Sequence, residues 1–356
     1  MRLDLVDGIR GHLLIGMLIA HLSFRDGMGA LGLFHHYHFI HLYDAEFFIP
    51  ISGFIIGYLF IERLKSTARF YKFIKARLRT IYPYYLLSAV PFILSTIAGD
   101  GRNIFGLLAG ILTMQDGGLY SDILPIYFYC FLILYAFLWM IPRTGLAGPL
   151  IISGIIYCVS QSSYSTGMFG LSSRFVVFDV AAWQFLLVLF IFIGAHYRRV
   201  LDIIERMSSR AYLIVFAMLA VLFLIGRQVD AYPTPFAGYE SAPINWPRMQ
   251  LHPFYLVKIL LVSALICAPL VRPDGILSWP SKFMRWYFSL SILRNVGKYS
   301  IQSFTVHVFL VAIFIELSDN MSLASRYMFA ISIIMFFVAM PNIWVSFRRR
   351  RAVQAA

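Results

Sequence analysis

The sequence predicts an all-α, polytopic membrane bundle of ten transmembrane helices plus one re-entrant or interfacial helix, forming a single domain over residues 1–356. Three observations predict it. The chain is 60% hydrophobic and 13% charged, with a mean hydropathy of +0.75, where a soluble domain holds about 45–50% apolar and about 25% charged residues. Apolar stretches long enough to cross a bilayer recur along the whole chain. Lysine and arginine concentrate in alternate gaps between them.

In chain order the stretches fall at 8–25, 44–61, 80–98, 122–142, 146–161, 178–196, 211–227, 253–271, 298–317 and 326–346. The first begins beside Asp4, Asp7 and Arg10, and no small-residue cleavage site follows His21, so it reads as a permanent span and not a signal peptide. An eleventh stretch, 104–114, is too short to cross and is bracketed by Gly99, Gly101, Gly117 and Gly118, as a re-entrant or interfacial helix would be. Ten crossings put 23 of the 30 basic residues on the side shared by both termini and seven on the other. Counting 104–114 as a crossing destroys that asymmetry, so both termini are expected in the cytoplasm.

The net charge of +13 follows the same distribution, so membrane lipids, and not nucleic acid, are the expected charged partners. Cys130, Cys158 and Cys267 lie inside apolar runs without paired spacing and suggest neither a disulfide framework nor a zinc site. The loop 228–252 carries Pro233, Pro235, Pro243 and Pro247 among Tyr232, Phe236, Tyr239 and Trp246. It reads as a stiff cap over the bundle or as a stacking surface for sugar rings.

An ionisable side chain inside a span is costly enough to be read as functional. Arg10 and His21 are eleven positions apart in the first span, which places them on nearly one helical face, roughly 16 Å apart along the axis. They read as two parts of one tunnel. In the first loop, His35, His36, His38 and His41 form a histidine tract. No carboxylate or cysteine completes a metal set with them by sequence spacing, so no metal is expected and a polar loop facing an acceptor is the preferred reading.

The first span, with Arg10 and His21, resembles the signature of the acyltransferase-3 superfamily, membrane enzymes that pass acyl groups from cytoplasmic donors to extracytoplasmic sugars. Residues 44–57 (DAEFFIPISGFIIG) resemble its acidic-FF-x-x-SGF segment, and residues 75–87 (KARLRTIYPYYLL) its basic approach to the third span. Residues 122–135 (DILPIYFYCFLILY), 176–194 (VVFDVAAWQFLLVLFIFIG) and 296–311 (VGKYSIQSFTVHVFLV) are similar to the OpgC-type branch, named for succinylation of osmoregulated periplasmic glucans. The chain departs from the pattern in the spacing of Arg79 to Pro83, one residue longer, and in Asp179 where asparagine is common.

The resemblance implies a multi-pass enzyme of the bacterial inner membrane that moves succinyl or a similar short acyl group from acyl-CoA (succinyl-CoA or acetyl-CoA) to hydroxyls of a periplasmic glucan or another extracytoplasmic carbohydrate. A sugar hydroxyl needs a base, and histidine suits that task. His21 is the expected base, with Glu46, at the same expected depth, accepting its other N–H. Arg10, Lys75, Arg77 and Arg79 are expected to bind the donor's phosphates, although the last three also fit a positive-inside cluster. By the same resemblance His307, mid-span, is expected to polarise the thioester or line the acceptor path, with a structural interhelical bond as the alternative. Asp179 reads first as a helix cap. Direct transfer, a transient acyl-histidine and a homodimeric assembly all stay open. The rival reading is a proton-coupled transporter or exporter of a sugar or lipid, with His21, Glu46 and His307 as its relay.

Overall fold

The structure, a computed structural model, describes residues 4–25, 27–61, 66–99, 104–114, 120–121, 123–162, 178–231 and 250–354. Among them there is no strand. The helices are α1 (Asp4–Ser23), α2 (Gly29–Gly32), α3 (Tyr37–Ile40), α4 (Ala45–Leu59), α5 (Thr67–Gly99), α6 (Ile104–Leu112), α7 (Ile123–Phe137), α8 (Ile141–Thr144), α9 (Ala147–Ser162), α10 (Val180–Ala195), α11 (Tyr197–Arg206), α12 (Ser209–Ala231), α13 (Pro253–Val271), α14 (Ser278–Ser289), α15 (Ser291–Lys298), α16 (Ser300–Ser318) and α17 (Leu323–Gln354). The loop 228–252 lies largely outside the described residues, so neither reading of its aromatic residues is tested.

Among the described residues, seven segments are long and apolar enough to cross a membrane, in α1, α5, α7 with α8, α12, α13, α16 and α17. The pair α10 and α11 makes an eighth if its 62° bend is one broken span. α4 and α9 are apolar but shorter, at about 22–24 Å each against a hydrocarbon core of about 30 Å. α12 and α17 leave Met218, Leu222, Ile225, Met328, Met335 and Phe336 exposed. Apolar surface on that scale belongs against lipid.

Glycine decides which helices touch. On α4, Gly53 and Gly57 lie against Leu187 and Ile191 of α10, while Gly194 of α10 lies against Phe54 of α4. A Cβ at Gly57 or Gly194 would overlap a backbone carbonyl of the facing helix. Without a hydrophobic drive between helices in lipid, such close backbone approach carries the association. α1 uses the same device toward Phe288, at the end of α14, and α15: Gly8 meets Phe288, Gly11 meets Leu293, and Gly297 meets Asp7.

Local capping agrees with the sequence at α10, where the Asp179 carboxylate accepts the backbone N–H of Ala181 at 2.8 Å. α6 is only nine residues long. The Tyr82 hydroxyl donates to the Leu112 carbonyl at 3.0 Å and that of Tyr129 to the Thr113 carbonyl at 2.7 Å. These bonds tie the C-terminal end of α6 to α5 and α7, satisfying carbonyls that a helix end leaves open.

Beyond α13, Arg272 donates to the carbonyls of Ile204 and Met207 and to Asp274, which also accepts from Ser209. The Ser209 hydroxyl and the Arg272 guanidinium hold the Asp274 carboxyl below its usual range. This clamp closes the turn between α11 and α12. Nearby, α14 exposes Trp279, Phe283 and Trp286, the aromatic pattern of a helix lying in a membrane interface.

The glycine contacts can be tested directly. Gly57→Ala should lower stability in detergent by about 1–3 kcal/mol, the usual cost of overpacking a tight contact. Gly154→Ala, whose Cβ would meet only Phe185 at 3.6 Å, should leave the thermal unfolding midpoint of the purified protein unchanged.

Candidate active site

α1 and α16 run side by side in the same direction, and the site forms along their seam. Arg10 and Leu14 of α1 and Ser300, Ile301 and Phe304 of α16 line one end of a cavity of about 150 Å³, together with Ser52 of α4, Arg77 of α5 and Tyr127 of α7. Further along both helices, His21 Nδ1 lies 2.7 Å from His307 Nε2. The sequence-predicted alignment of Arg10 and His21 on one face of α1 therefore holds, with the cavity at one end and the histidine pair at the other.

Arg10 enters the cavity from a helix interior. One terminal nitrogen of its guanidinium donates to the Ser52 hydroxyl at 3.4 Å, and Ser52 pairs with the Tyr127 hydroxyl at 3.0 Å. Its Nε is buried without a hydrogen bond. Arg77, from α5, shares the cavity, with its guanidinium 5.2 Å from the ring centre of Phe73. Two guanidinium groups around one cavity, one with an unused buried donor, suit an anionic ligand. Lys75 and Arg79 do not line the cavity, so Arg77 is the member of the basic run that joins Arg10.

His307 is fully buried, and Phe304, one turn before it, lines the cavity with its ring centre 5.5 Å from that of His307. On its other side His21 stacks with Tyr120 at 4.1 Å between ring centres. Burial pushes the Tyr120 phenol above its usual range, so it stays neutral. His307 Nδ1 is buried without a hydrogen bond. The pair has two tautomers: with the His307 proton on Nδ1, its Nε2 accepts from His21 Nδ1–H, and with the proton on Nε2 the His21 Nδ1 accepts.

Glu46 occupies a different place from the expected one. Its described hydrogen bond is from the Tyr255 hydroxyl of α13, at 2.8 Å, while the ring beside His21 is His307. The cause lies in residues 29–44, which fold back along α1, so that α4 starts level with Gly16, where Asp44 Oδ1 would stand 3.0 Å from an added Cβ. Lys258 of α13 donates to the His41 carbonyl at 3.1 Å and Arg227 of α12 to that of His38 at 3.2 Å, holding this segment in place. Asp44 also joins His35 and His36 as a set of three metal-type donors. The sequence reading of the tract omitted that carboxylate, because only the fold brings it in.

Sequence reasoning also passed over Ser52, Tyr120 and Tyr127. Ser52 and Tyr127 both sit inside motif segments already singled out, but nothing in their spacing showed that they face Arg10.

Residues 2–351 match the protein family described as OpgC protein. The chain belongs to that family. Membership implies a transferase, and the long apolar helices make the chain a membrane protein. No curated protein and no solved structure matches the chain.

The histidine pair predicts coupled energetics. His21→Ala and His307→Ala should be non-additive in thermal unfolding, with a coupling of about 0.5–1.5 kcal/mol, the net worth of one hydrogen bond. His21→Ala combined with Ser300→Ala should add within error.

Proposed function

We propose that this chain is a membrane O-acyltransferase of acyltransferase-3 type, moving succinyl or a similar short acyl group from cytoplasmic acyl-CoA to a hydroxyl of a periplasmic glucan. The observation that carries the reading is the part-buried His21–His307 pair at one end of a seam whose other end is a cavity holding Arg10 and Arg77. A donor with phosphates at one end and a thioester at the other matches that division.

In this reading Arg10 and Arg77 pair the donor phosphates, and the acyl arm runs past Leu14 and Phe304 toward the histidines. His21 Nε2 takes the acceptor's proton as its oxygen attacks the thioester carbonyl. The tetrahedral intermediate collapses, coenzyme A leaves as thiolate, and the proton on His21 is available to it. His307 holds the tautomer of His21, the part first expected of Glu46. Glu46, through Tyr255, acts as a positioning residue for the start of α4. Ten spans and two cytoplasmic termini complete the proposal, with the charge distribution as their support.

Purified protein given labelled acyl-CoA with periplasmic glucan should transfer label to the glucan. His21→Ala should reduce turnover by at least about 10²-fold, as expected for loss of a general base. Arg10→Gln and Arg77→Gln should raise KM for the donor and leave that for glucan unchanged, whereas Lys75→Gln and Arg79→Gln should change neither. Normal turnover in His21→Ala would end the catalytic assignment.

The orientation has its own test. After replacement of the native cysteines, Asn320→Cys should react with a membrane-impermeant thiol reagent added to intact cells. Ile276→Cys should react only once the membrane is opened. The reverse pattern would invert the tunnel and place the arginine end outside.

A further inference from the structure

The face of α1 opposite Arg10 carries a second buried polar cluster that the transfer chemistry leaves unused. His12 follows Arg10 by two residues, about 200° around the helix. It therefore looks away from the cavity, and its ring meets Tyr287 and Phe288 of α14. Against this face the segment 29–44 places His35, His36 and Asp44. Gly16 makes room for them, since a Cβ there would stand 3.0 Å from Asp44 Oδ1 and 3.4 Å from His35 Nε2. One donor atom from each of His35, His36 and Asp44 lies within 4.8 Å of the others.

These groups are not equally satisfied. His35 Nδ1 accepts the backbone N–H of Tyr37 at 3.1 Å, so its proton is on Nε2, which donates to Asp44 Oδ2 at 3.0 Å. That ring is complete. Asp44 Oδ1 and both ring nitrogens of His36 are buried without a hydrogen bond, and Oδ1 stands 4.0 Å from His36 Nδ1. The Leu42 backbone lies near the His36 ring but outside hydrogen-bond geometry. The Asp44 side chain is only 4% exposed, and leaving such an atom unpaired is costly unless something binds it.

A third donor stands across from these two. His12 Nδ1 pairs with the Tyr287 hydroxyl at 3.0 Å, which leaves Nε2 for another partner. The ring centres of His12 and His36 are 5.6 Å apart. Two imidazoles on one tetrahedral ion, at a metal–nitrogen distance of about 2.0–2.1 Å, hold their ring centres roughly 5 Å apart. His35 and His36, at 4.1 Å, are too closely stacked to share an ion in that way.

We propose that His12, His36 and Asp44 bind a divalent transition metal of the zinc class, with His35 orienting the carboxylate. Two imidazoles and one carboxylate suit such an ion, and a ligating carboxylate braced by a hydrogen bond is the usual outer-shell arrangement. The ion fastens the inward-folded segment to α1, on the face away from the histidine pair. It gives the His35–Asp44 run a role separate from acyl transfer.

The test uses the full-length protein in detergent, stripped with a chelator and then dialysed against zinc or cobalt. Wild type should retain one equivalent after gel filtration, measured by elemental mass spectrometry, and the cobalt form should show tetrahedral visible absorption. His36→Gln, Asp44→Asn and His12→Gln should each weaken binding at least about 100-fold, and His35→Gln about 10–100-fold, as loss of an outer-shell partner does. His38→Gln and His41→Gln, from the same tract, should bind as wild type does. Wild type that retains no metal overturns the proposal. Full retention in both His36→Gln and Asp44→Asn overturns it equally. Thermal unfolding of each variant identifies the folded ones, and His36→Gln decides should Asp44→Asn not fold.

Discussion

The bundle depends on one constraint: a helix can carry Arg10, His12 and His21 through hydrocarbon only if other protein groups surround all of them. α1 is therefore enclosed on every side that bears a polar group. Ser52, Arg77 and Tyr127 gather around Arg10, His307 and Tyr120 around His21, and Tyr287 with His36 around His12. Each partner comes from a different segment, so the polar residues of one helix dictate the placement of much of the fold.

Glycine makes that enclosure geometrically feasible. Gly8 and Gly11 admit the backbone of Phe288 and α15 on one side of α1, and Gly16 admits the Asp44 carboxylate and the His35 ring on another. At α4 and α10, Gly53, Gly57 and Gly194 interlock in the same manner. The two tight seams hold α1 and α4, both of which contribute residues to the cavity wall.

Much of this was legible in the sequence, because helical periodicity and burial cost act locally. The shared face of Arg10 and His21, the Asp179 cap and the shortness of α6 all follow from residues close in the chain. The depth of Glu46 did not, because counting from the end of an apolar stretch assumes that the helix starts at the membrane surface. Residues 29–44 instead fold inward, α4 begins level with Gly16, and Glu46 meets Tyr255. Asp44 was hidden for the same reason. Its relation to the histidine tract exists only in three dimensions, as does the preference of the cavity for Arg77 over Arg79.

The depth of the cavity along α1 sets where the protein must act as an electrical insulator. Arg77 lies on the cavity wall, and the lining runs along α1 and α16 as far as Leu14 and Phe304. From Leu14 to the far end of α1 at Ser23 only about 13 Å of helix remains. A membrane potential would fall mainly across that short thickness, where the rings of His21, Tyr120 and His307 lie. On the proposed reading, any movement wide enough to admit an acceptor hydroxyl there also thins the barrier to protons and ions, so acceptor access and leak resistance would be governed by the same three side chains.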